Sequence, residues 1–170
     1  MKAKNLLSVV LAFIFIAGLV ACSTSQKDLI GCWERVDRTL KIEAKKQDIA
    51  DAAVENFKSL FQDIWEDKYK YVICFKEDGT FESSSNGELI TGGKGIGTYT
   101  FENGELKVTY ESGDDYKVKI EINGDTLKMA EVEEGKTKFV ELIFENYGVE
   151  NIEEVGVDKV TLTNKYKKVK

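Results

Sequence analysis

The stretch Gly95–Tyr110, GIGTYTFENGELKVTY, decides the fold class, because it reads as two strands joined by a tight turn. Asn103-Gly104 is the strongest short-range hairpin signal, since a two-residue turn needs residues that adopt positive φ. On both sides of the turn, apolar residues occupy every second position, which is the period of a strand with one buried face. These residues are Tyr99, Phe101, Leu106, Val108 and Tyr110. The stretch therefore predicts an antiparallel β-hairpin.

Two similar hairpins flank the first one in the chain. Residues 68–85, KYKYVICFKEDGTFESSS, alternate in the same way and turn at Asp78-Gly79. Residues 115–132, DYKVKIEINGDTLKMAEV, turn at Asn123-Gly124-Asp125. Consecutive hairpins with short turns predict an antiparallel meander. Its predicted inward face comprises Tyr71, Ile73, Phe75, Phe81, Tyr99, Phe101, Leu106, Val108, Tyr110, Val118, Ile120, Ile122, Leu127 and Met129.

Strand-like segments also lie before and after the meander. Residues 29–38, LIGCWERVDR, predict a first strand, and residues 159–169, KVTLTNKYKKV, predict a last one. The total of about eight strands would leave long exposed edges in an open sheet, and closure removes such edges. The predicted fold class is therefore mostly β: an antiparallel, up-and-down, eight-stranded barrel.

Two segments have a helical rather than a strand period. Residues 40–66 place apolar side chains at spacings of seven, four and three, which predicts one long amphipathic helix inserted between strands 1 and 2, with a break near Gln47 left open. Its polar face is mixed in charge, which favours packing on the domain over lying on a membrane. Residues 137–147 fit both periods, and a short helix is favoured because Gly148 would cap it.

The N-terminus has the layout of a secretory signal. Two lysines precede an uncharged apolar run that is short for a membrane span and ends in small residues. Leu19-Val20-Ala21-Cys22 resembles the lipobox of bacterial lipoproteins, in which the signal is cut before the cysteine and its thiol is lipidated. A plain cleaved signal is the alternative.

The lipobox resemblance implies a division of the chain and a location. Residues 1–21 would be the signal peptide, 22–28 a flexible tether, and 29–170 a single domain. Cys22 would carry the lipid and hold the protein to a bacterial membrane of the cell envelope, with the outer membrane favoured. The lipid anchor would then be the protein's contact with the membrane.

Composition and acidic-pair placement argue against several functions. A net charge of −6 argues against nucleic acid as a partner, because nucleic-acid binding needs basic surface. The absence of histidine removes the commonest general base and the commonest metal ligand. Adjacent acidic residues such as Asp114-Asp115 fall in predicted turns, and neighbours on a strand point to opposite faces. The sequence therefore predicts no catalytic residue, no metal site and no cofactor.

Gly31-Cys32-Trp33 in the first strand resembles the Gly-x-Trp signature of lipocalins and bacterial lipocalin-like lipoproteins. Further pieces similar to that bacterial group follow in the same order. They are Phe75–Phe81, Gly97–Tyr99, Asn123–Leu127 and Tyr166–Val169. The resemblance implies a lipocalin-like barrel in which Trp33 plugs the closed end beneath a basic side chain of the last strand. Lys165 and Lys167 are the candidates for that side chain, and plain core packing of Trp33 is the alternative.

Alternation places two cysteines on one outer face. If Trp33 and Ile73 point inward, Cys32 and Cys74 point outward, and their strands are expected to be neighbours. Export to a compartment that permits disulfides then favours a Cys32–Cys74 bridge. Two free, buried thiols remain the alternative.

The interior of an eight-stranded barrel is just large enough to be filled by side chains or to hold one small ligand. The ligand-binding residues predicted here are Tyr71, Ile73, Phe75, Phe81, Tyr99, Phe101, Tyr110, Val118, Ile120 and Met129. The predicted function is non-catalytic binding of a small apolar or amphipathic molecule. The alternative is a closed-core barrel that acts as a protein-interaction module through residues 86–97 and 40–66. The sequence does not indicate an oligomeric state.

Overall fold

The structure is a computed structural model that describes residues 25–65, 68–149 and 151–170, and for Ile64 and Trp65 it describes the backbone alone. The predictions for the signal peptide and for Cys22 lie outside the described residues. The strands are β1 (Gly31–Ala44), β2 (Tyr71–Phe75), β3 (Thr80–Ser85), β4 (Glu88–Leu89), β5 (Ile96–Glu102), β6 (Glu105–Tyr110), β7 (Asp115–Asn123), β8 (Thr126–Glu134) and β9 (Val157–Lys168). The helices are α1 (Gln26–Leu29), α2 (Gln47–Leu60), α3 (Gln62–Trp65), α4 (Lys138–Tyr147) and α5 (Ile152–Val155).

The sheet closes on itself, which confirms the predicted fold class. The strands follow the order β2-β1-β9-β8-β7-β6-β5-β3, all antiparallel, and β3 also pairs with β2. The first and last long strands pair along most of their length, from Trp33 opposite Lys168 to Ala44 opposite Val157. The short β4 pairs with β3 outside this ring. A helix lies between β1 and β2, as predicted.

Every residue predicted to point inward from the meander lies in the barrel core or packs against it. The hairpin turns at Asp78-Gly79, Asn103-Gly104 and Asn123–Asp125 all lie at the end that carries Trp33, here called the lower end. At Gly97 of β5 the wall needs glycine, because an added Cβ would lie 2.2 Å from the carbonyl oxygen of Thr109 and 2.7 Å from the Phe81 ring. The absence of a side chain at Gly97 thus lets the Phe81 ring pack directly against the backbone of β5.

The helix α1 closes the lower end of the barrel. Leu29 and Trp33 are both 0% exposed, and the indole Nε1 donates a hydrogen bond to the Leu29 carbonyl oxygen at 2.7 Å. Asp28 accepts hydrogen bonds from the backbone nitrogen and the hydroxyl of Ser25, which form a capping box. The predicted tether at residues 22–28 therefore extends too far along the chain, since Gln26–Leu29 are helical and anchored by the burial of Leu29.

Lys168, rather than Lys165 or Lys167, covers the plug. Its Nζ lies 4.9 Å from the Trp33 ring centroid, because Lys168 is the direct register partner of Trp33 and cross-strand partners share a face. Lys167 is exposed and lies opposite Glu34. Lys165 points away from the interior and lines an outer depression beside Lys128. The basic side chain that covers Trp33 was therefore predicted on the correct strand but at the wrong residues.

The first strand is longer than predicted, and the inserted helix is shorter. Residues 40–44 belong to β1, where Leu40 and Ile42 are buried and pair with Leu162 and Val160. Their spacing fits a strand as well as a helix, and pairing with β9 decides the outcome. The Gln47 side chain joins the two elements, since its Nε2 donates to the Ile42 carbonyl and its Oε1 accepts from the Ala44 nitrogen.

The helices form a second core at the upper end of the barrel. Leu40, Ile42 and Val160 lie on the same strand face as Trp33 and Tyr166, so α2, α4 and α5 cover the barrel end opposite the plug. The predicted helix at 137–147 is confirmed, with Gly148 as its left-handed C-cap at φ 81°. Within the described part of the chain, no helix is both long and apolar enough to cross a membrane.

Cys32 and Cys74 form a disulfide between β1 and β2. They are direct register partners on β1 and β2, with Cα atoms 4.0 Å apart. Their neighbours Trp33 and Ile73 point inward, so the bridge lies on the outside of the barrel.

Candidate ligand site

A cavity of about 170 Å³ lies in the upper half of the barrel, between the apolar floor above Trp33 and the helical cap. The described residues that line it are two arginines, one asparagine, four tyrosines and five apolar side chains. They are Arg35, Arg38, Asn164, Tyr71, Tyr110, Tyr116, Tyr166, Ile73, Leu106, Val108, Val118 and Met129. The cavity thus has an apolar wall and a polar upper ring.

A β-bulge at Val36 brings both arginines to the interior. The register of β1 against β9 shifts between Arg35 and Asp37, so Val36 has no partner and is exposed. Without the bulge, residues three apart would point to opposite faces. With it, Arg38 lies opposite Asn164, which itself faces the interior.

The arginines are held by neighbouring side chains of the ring. The Arg38 Nε donates a hydrogen bond to the Oδ1 of Asn164 at 2.7 Å. Arg35 is buried, and its guanidinium lies 5.1 Å from the centroid of the Tyr71 ring, a cation–π geometry. These contacts fix two positive charges on the β1 side of the cavity.

The opposite side of the ring is closed by a side-chain hydrogen bond rather than by backbone pairing. Ladder pairing between β7 and β8 ends at Lys119 and Ala130. Above that point the Tyr116 hydroxyl donates to the Oε2 of Glu131 at 2.9 Å. Burial raises the pKa of Glu131, with a smaller raising effect from Glu133, while the Tyr116 hydrogen bond acts in the opposite direction.

Burial affects three of the tyrosine hydroxyls of the ring. Burial raises the pKa of Tyr110 and of Tyr166 above the usual value for a phenol. Burial, followed by the charge of Glu131, raises the pKa of Tyr116 as well. The protonated hydroxyls of Tyr110 and Tyr166 can therefore donate to a polar or anionic group in the cavity, whereas that of Tyr116 already donates to Glu131.

Half of the residues predicted to bind ligand line the cavity, namely Tyr71, Ile73, Tyr110, Val118 and Met129. The others, Phe75, Phe81, Tyr99, Phe101 and Ile120, pack in the barrel core outside its lining. The Tyr99 hydroxyl donates to the Lys76 carbonyl oxygen at 2.7 Å, and its ring centroid lies 5.0 Å from that of Phe75. Tyr99 therefore braces the lower end of the barrel, where its hydroxyl does not line the cavity.

Five polar residues of the ring are absent from the predicted site, namely Arg35, Arg38, Tyr116, Asn164 and Tyr166. Arg35 is two residues from Trp33, so alternation from Trp33 would have placed it inside, and Tyr166 lies between the plug candidates Lys165 and Lys167. Tyr116 precedes Val118 by two residues and shares its face. Arg38 had no such signal, because its orientation depends on the bulge.

A second pocket, of about 220 Å³, lies beneath α4. Its described lining comprises Glu131, Glu133, Phe139, Val160 and Leu162. Four of these are on the inner faces of β8 and β9, and Phe139 comes from α4. Glu133 accepts a hydrogen bond from the Thr137 hydroxyl at the start of that helix.

Among residues 25–65, 68–149 and 151–170, no group of three or more Cys, Asp or Glu side chains is placed to hold a metal ion.

A closed antiparallel barrel with a cavity among its inward side chains is the architecture of the small ligand-carrying barrels. The chain belongs to the lipocalin-like domain family, whose sequence profile matches residues 29–129. The match indicates no enzyme family. The matched segment runs from the plugged end of β1 through the first part of β8.

No curated protein shows significant similarity to the chain. Among solved structures, the fatty-acid-binding protein 1 of Echinococcus granulosus is similar at 15% sequence identity and a TM-score of 0.38. The alignment covers 85% of this chain and 100% of that one. A likeness at this level does not bear on what this chain binds.

Proposed function

We propose that the barrel binds a small apolar or amphipathic molecule in the upper cavity and does not change it chemically. The observation that carries this proposal is the cavity itself, which lies inside a lipocalin-like barrel between an apolar wall and a polar ring. Tyr110 and Tyr166 hold their protons at neutral pH, so they orient a ligand as donors rather than attack it.

The cavity size limits the ligand. Drug-sized ligands occupy pockets of roughly 300–1,000 Å³, whereas this cavity measures about 170 Å³. The ligand is therefore either small or only partly enclosed by the ring.

Much of the surface proposed for the interaction-module alternative is used within the domain. Residues 40–44 of its proposed contact surface are strand, and the apolar face of α2 is buried against β1 and α4. In residues 86–97, β4 pairs with β3, and Ser83 exchanges backbone hydrogen bonds with Ile90 and Gly95.

Filling the cavity is expected to abolish binding. In Val118→Trp the larger side chain would occupy the cavity from β7, since Val118 is buried and lines it. Fluorescence titration with the neutral dye N-phenyl-1-naphthylamine measures the affinity of the protein for the dye, which should fall by about tenfold or more. The matched control is Lys119→Trp, whose side chain lies on the outer face of the same strand. Unchanged dye binding by a folded Val118→Trp protein would overturn the proposal.

We further propose that Cys22 carries a lipid anchor to the cell envelope, with the outer membrane favoured. The support is the Leu19-Val20-Ala21-Cys22 sequence behind an uncharged apolar run. Three residues separate Cys22 from α1, and each spans at most about 3.6 Å. The lower, plugged end of the barrel would then lie close to the bilayer, and the helical end would face away from it.

The anchor is tested by detergent phase partitioning of the protein expressed with its own N-terminus. Wild-type protein should partition into the detergent phase, because lipid chains each contribute about 0.8 kcal/mol per buried methylene. Cys22→Ala should move to the aqueous phase, whereas the neighbouring control Ser23→Ala should not. Detergent partitioning of Cys22→Ala equal to that of wild type would refute lipidation at this residue.

A further inference from the structure

We propose that the ring cavity and the pocket beneath α4 form one site for a single-chain amphiphile with an anionic head group. The head group lies at Arg35 and Arg38, and the chain extends beneath α4 along Leu162 and Val160. This inference rests on the proposed binding function and specifies the class of ligand.

The charge of the ring selects the head group. Arg35 and Arg38 bring two guanidinium groups to one side of the cavity lining. A guanidinium presents a fork of donors that matches carboxylate, sulfate or phosphate oxygens. The protonated hydroxyls of Tyr110 and Tyr166 add donors on the same ring. An anionic group on the arginine side of the cavity would therefore face both hydrogen-bond donors and positive charge.

The second pocket has the opposite character, which orients the ligand. Phe139, Val160 and Leu162 give it an apolar wall. Its two carboxylates, Glu131 and Glu133, would repel an anion, and each already accepts a hydrogen bond from a hydroxyl. The head group therefore favours the arginines, and the apolar chain favours the pocket.

The two spaces are consecutive along the same strand faces. Met129 and Asn164 are register partners that line the cavity. The next inward pair, Glu131 and Leu162, lines the second pocket. Inward residues on a strand are about 7 Å apart, so the pocket begins about one side chain above the ring. The Tyr116–Glu131 hydrogen bond lies at this boundary.

The head-group inference is tested on the wild-type protein with three ligands of one chain length. Decanoate, decanol and decylamine each compete with N-phenyl-1-naphthylamine. Decanoate should displace the dye at a concentration about tenfold lower than either of the others. Equal potency of decanoate and decanol would overturn the head-group inference and leave the binding function intact. Absence of dye binding and of any ligand binding would overturn both.

Variants then assign the two halves of the site. Arg35→Met and Arg38→Met should each reduce the preference for decanoate over decanol, and the outer-face control Lys107→Met should retain it. Leu162→Trp should lower the affinity for decanoate more than the affinity for hexanoate, because the larger side chain shortens the space for the chain. The ratio of the two affinities should therefore fall. The control Thr161→Trp, on the opposite face of β9, should leave that ratio unchanged. An unchanged ratio in Leu162→Trp would exclude the pocket beneath α4.

Discussion

Replacing Trp33 by alanine is expected to lower the free energy of unfolding by about 3–5 kcal/mol, the range for truncation of a large buried aromatic side chain. Trp33 is 0% exposed and packs in the barrel core between α1 and the strands. Its loss would leave a cavity at the lower end and would also remove the hydrogen bond that holds the Leu29 carbonyl. Urea unfolding followed by circular dichroism measures the change.

The matched variant Trp33→Phe separates packing from the hydrogen bond. It keeps an aromatic ring at the plug but cannot donate to Leu29, so we expect a loss of about 1–3 kcal/mol. A loss below about 1 kcal/mol in Trp33→Ala would contradict the role of this residue as a buried plug.

Removal of the disulfide is expected to have an effect of similar size. Cys32 and Cys74 are 42 residues apart in the chain. On the chain-entropy model, a bridge that closes a loop of this length stabilises the fold by about 4 kcal/mol. The Cys32→Ala/Cys74→Ala double variant should therefore unfold at lower urea concentration than oxidised wild-type protein.

A reductant provides the control for this comparison. It should lower the stability of the wild type towards that of the double variant and leave the double variant unchanged. Equal stabilities of the oxidised wild type and the double variant would show that the bridge does not constrain the unfolded chain.

The barrel was predictable because its signals are local. Asn103-Gly104 and the two similar turns define hairpins, and strict alternation defines which side chains face inward. The order of β5 to β8 follows from their short connections, whereas closure depends on the long-range pairing of β1 with β9. The helix at 137–147 was predictable for the same reason, since Gly148 adopts the left-handed conformation that ends it.

The polar ring was only partly predictable, because one irregularity and pairing register decide its members. The bulge at Val36 turns Arg38 inward, and nothing in the local sequence marks it. The same register places Lys168 rather than Lys165 or Lys167 over Trp33. Apolar periodicity alone could not show which end of the barrel the helices cover.

The upper end of the barrel depends on long-range pairing. Ile42 fits the apolar spacing of the following helix, but its partner in the structure is Val160, more than a hundred residues later in the chain. Pairing with β9 satisfies the backbone groups of residues 40–44, which a helix starting at residue 40 would compete for. Sequence periodicity could not choose between these outcomes.

The central claim, that the interior of the barrel is a ligand site, is tested most directly by methyl NMR spectroscopy during titration with decanoate. If decanoate binds inside the barrel, the methyl signals of Ile73, Val118 and Met129, which line the cavity, should show saturable shifts. The methyl signals of Leu89 and Val132, which are exposed on the outside, should not move. Shifts confined to the exposed methyl groups, or no shifts at saturating ligand, would show that the barrel interior is not a ligand site.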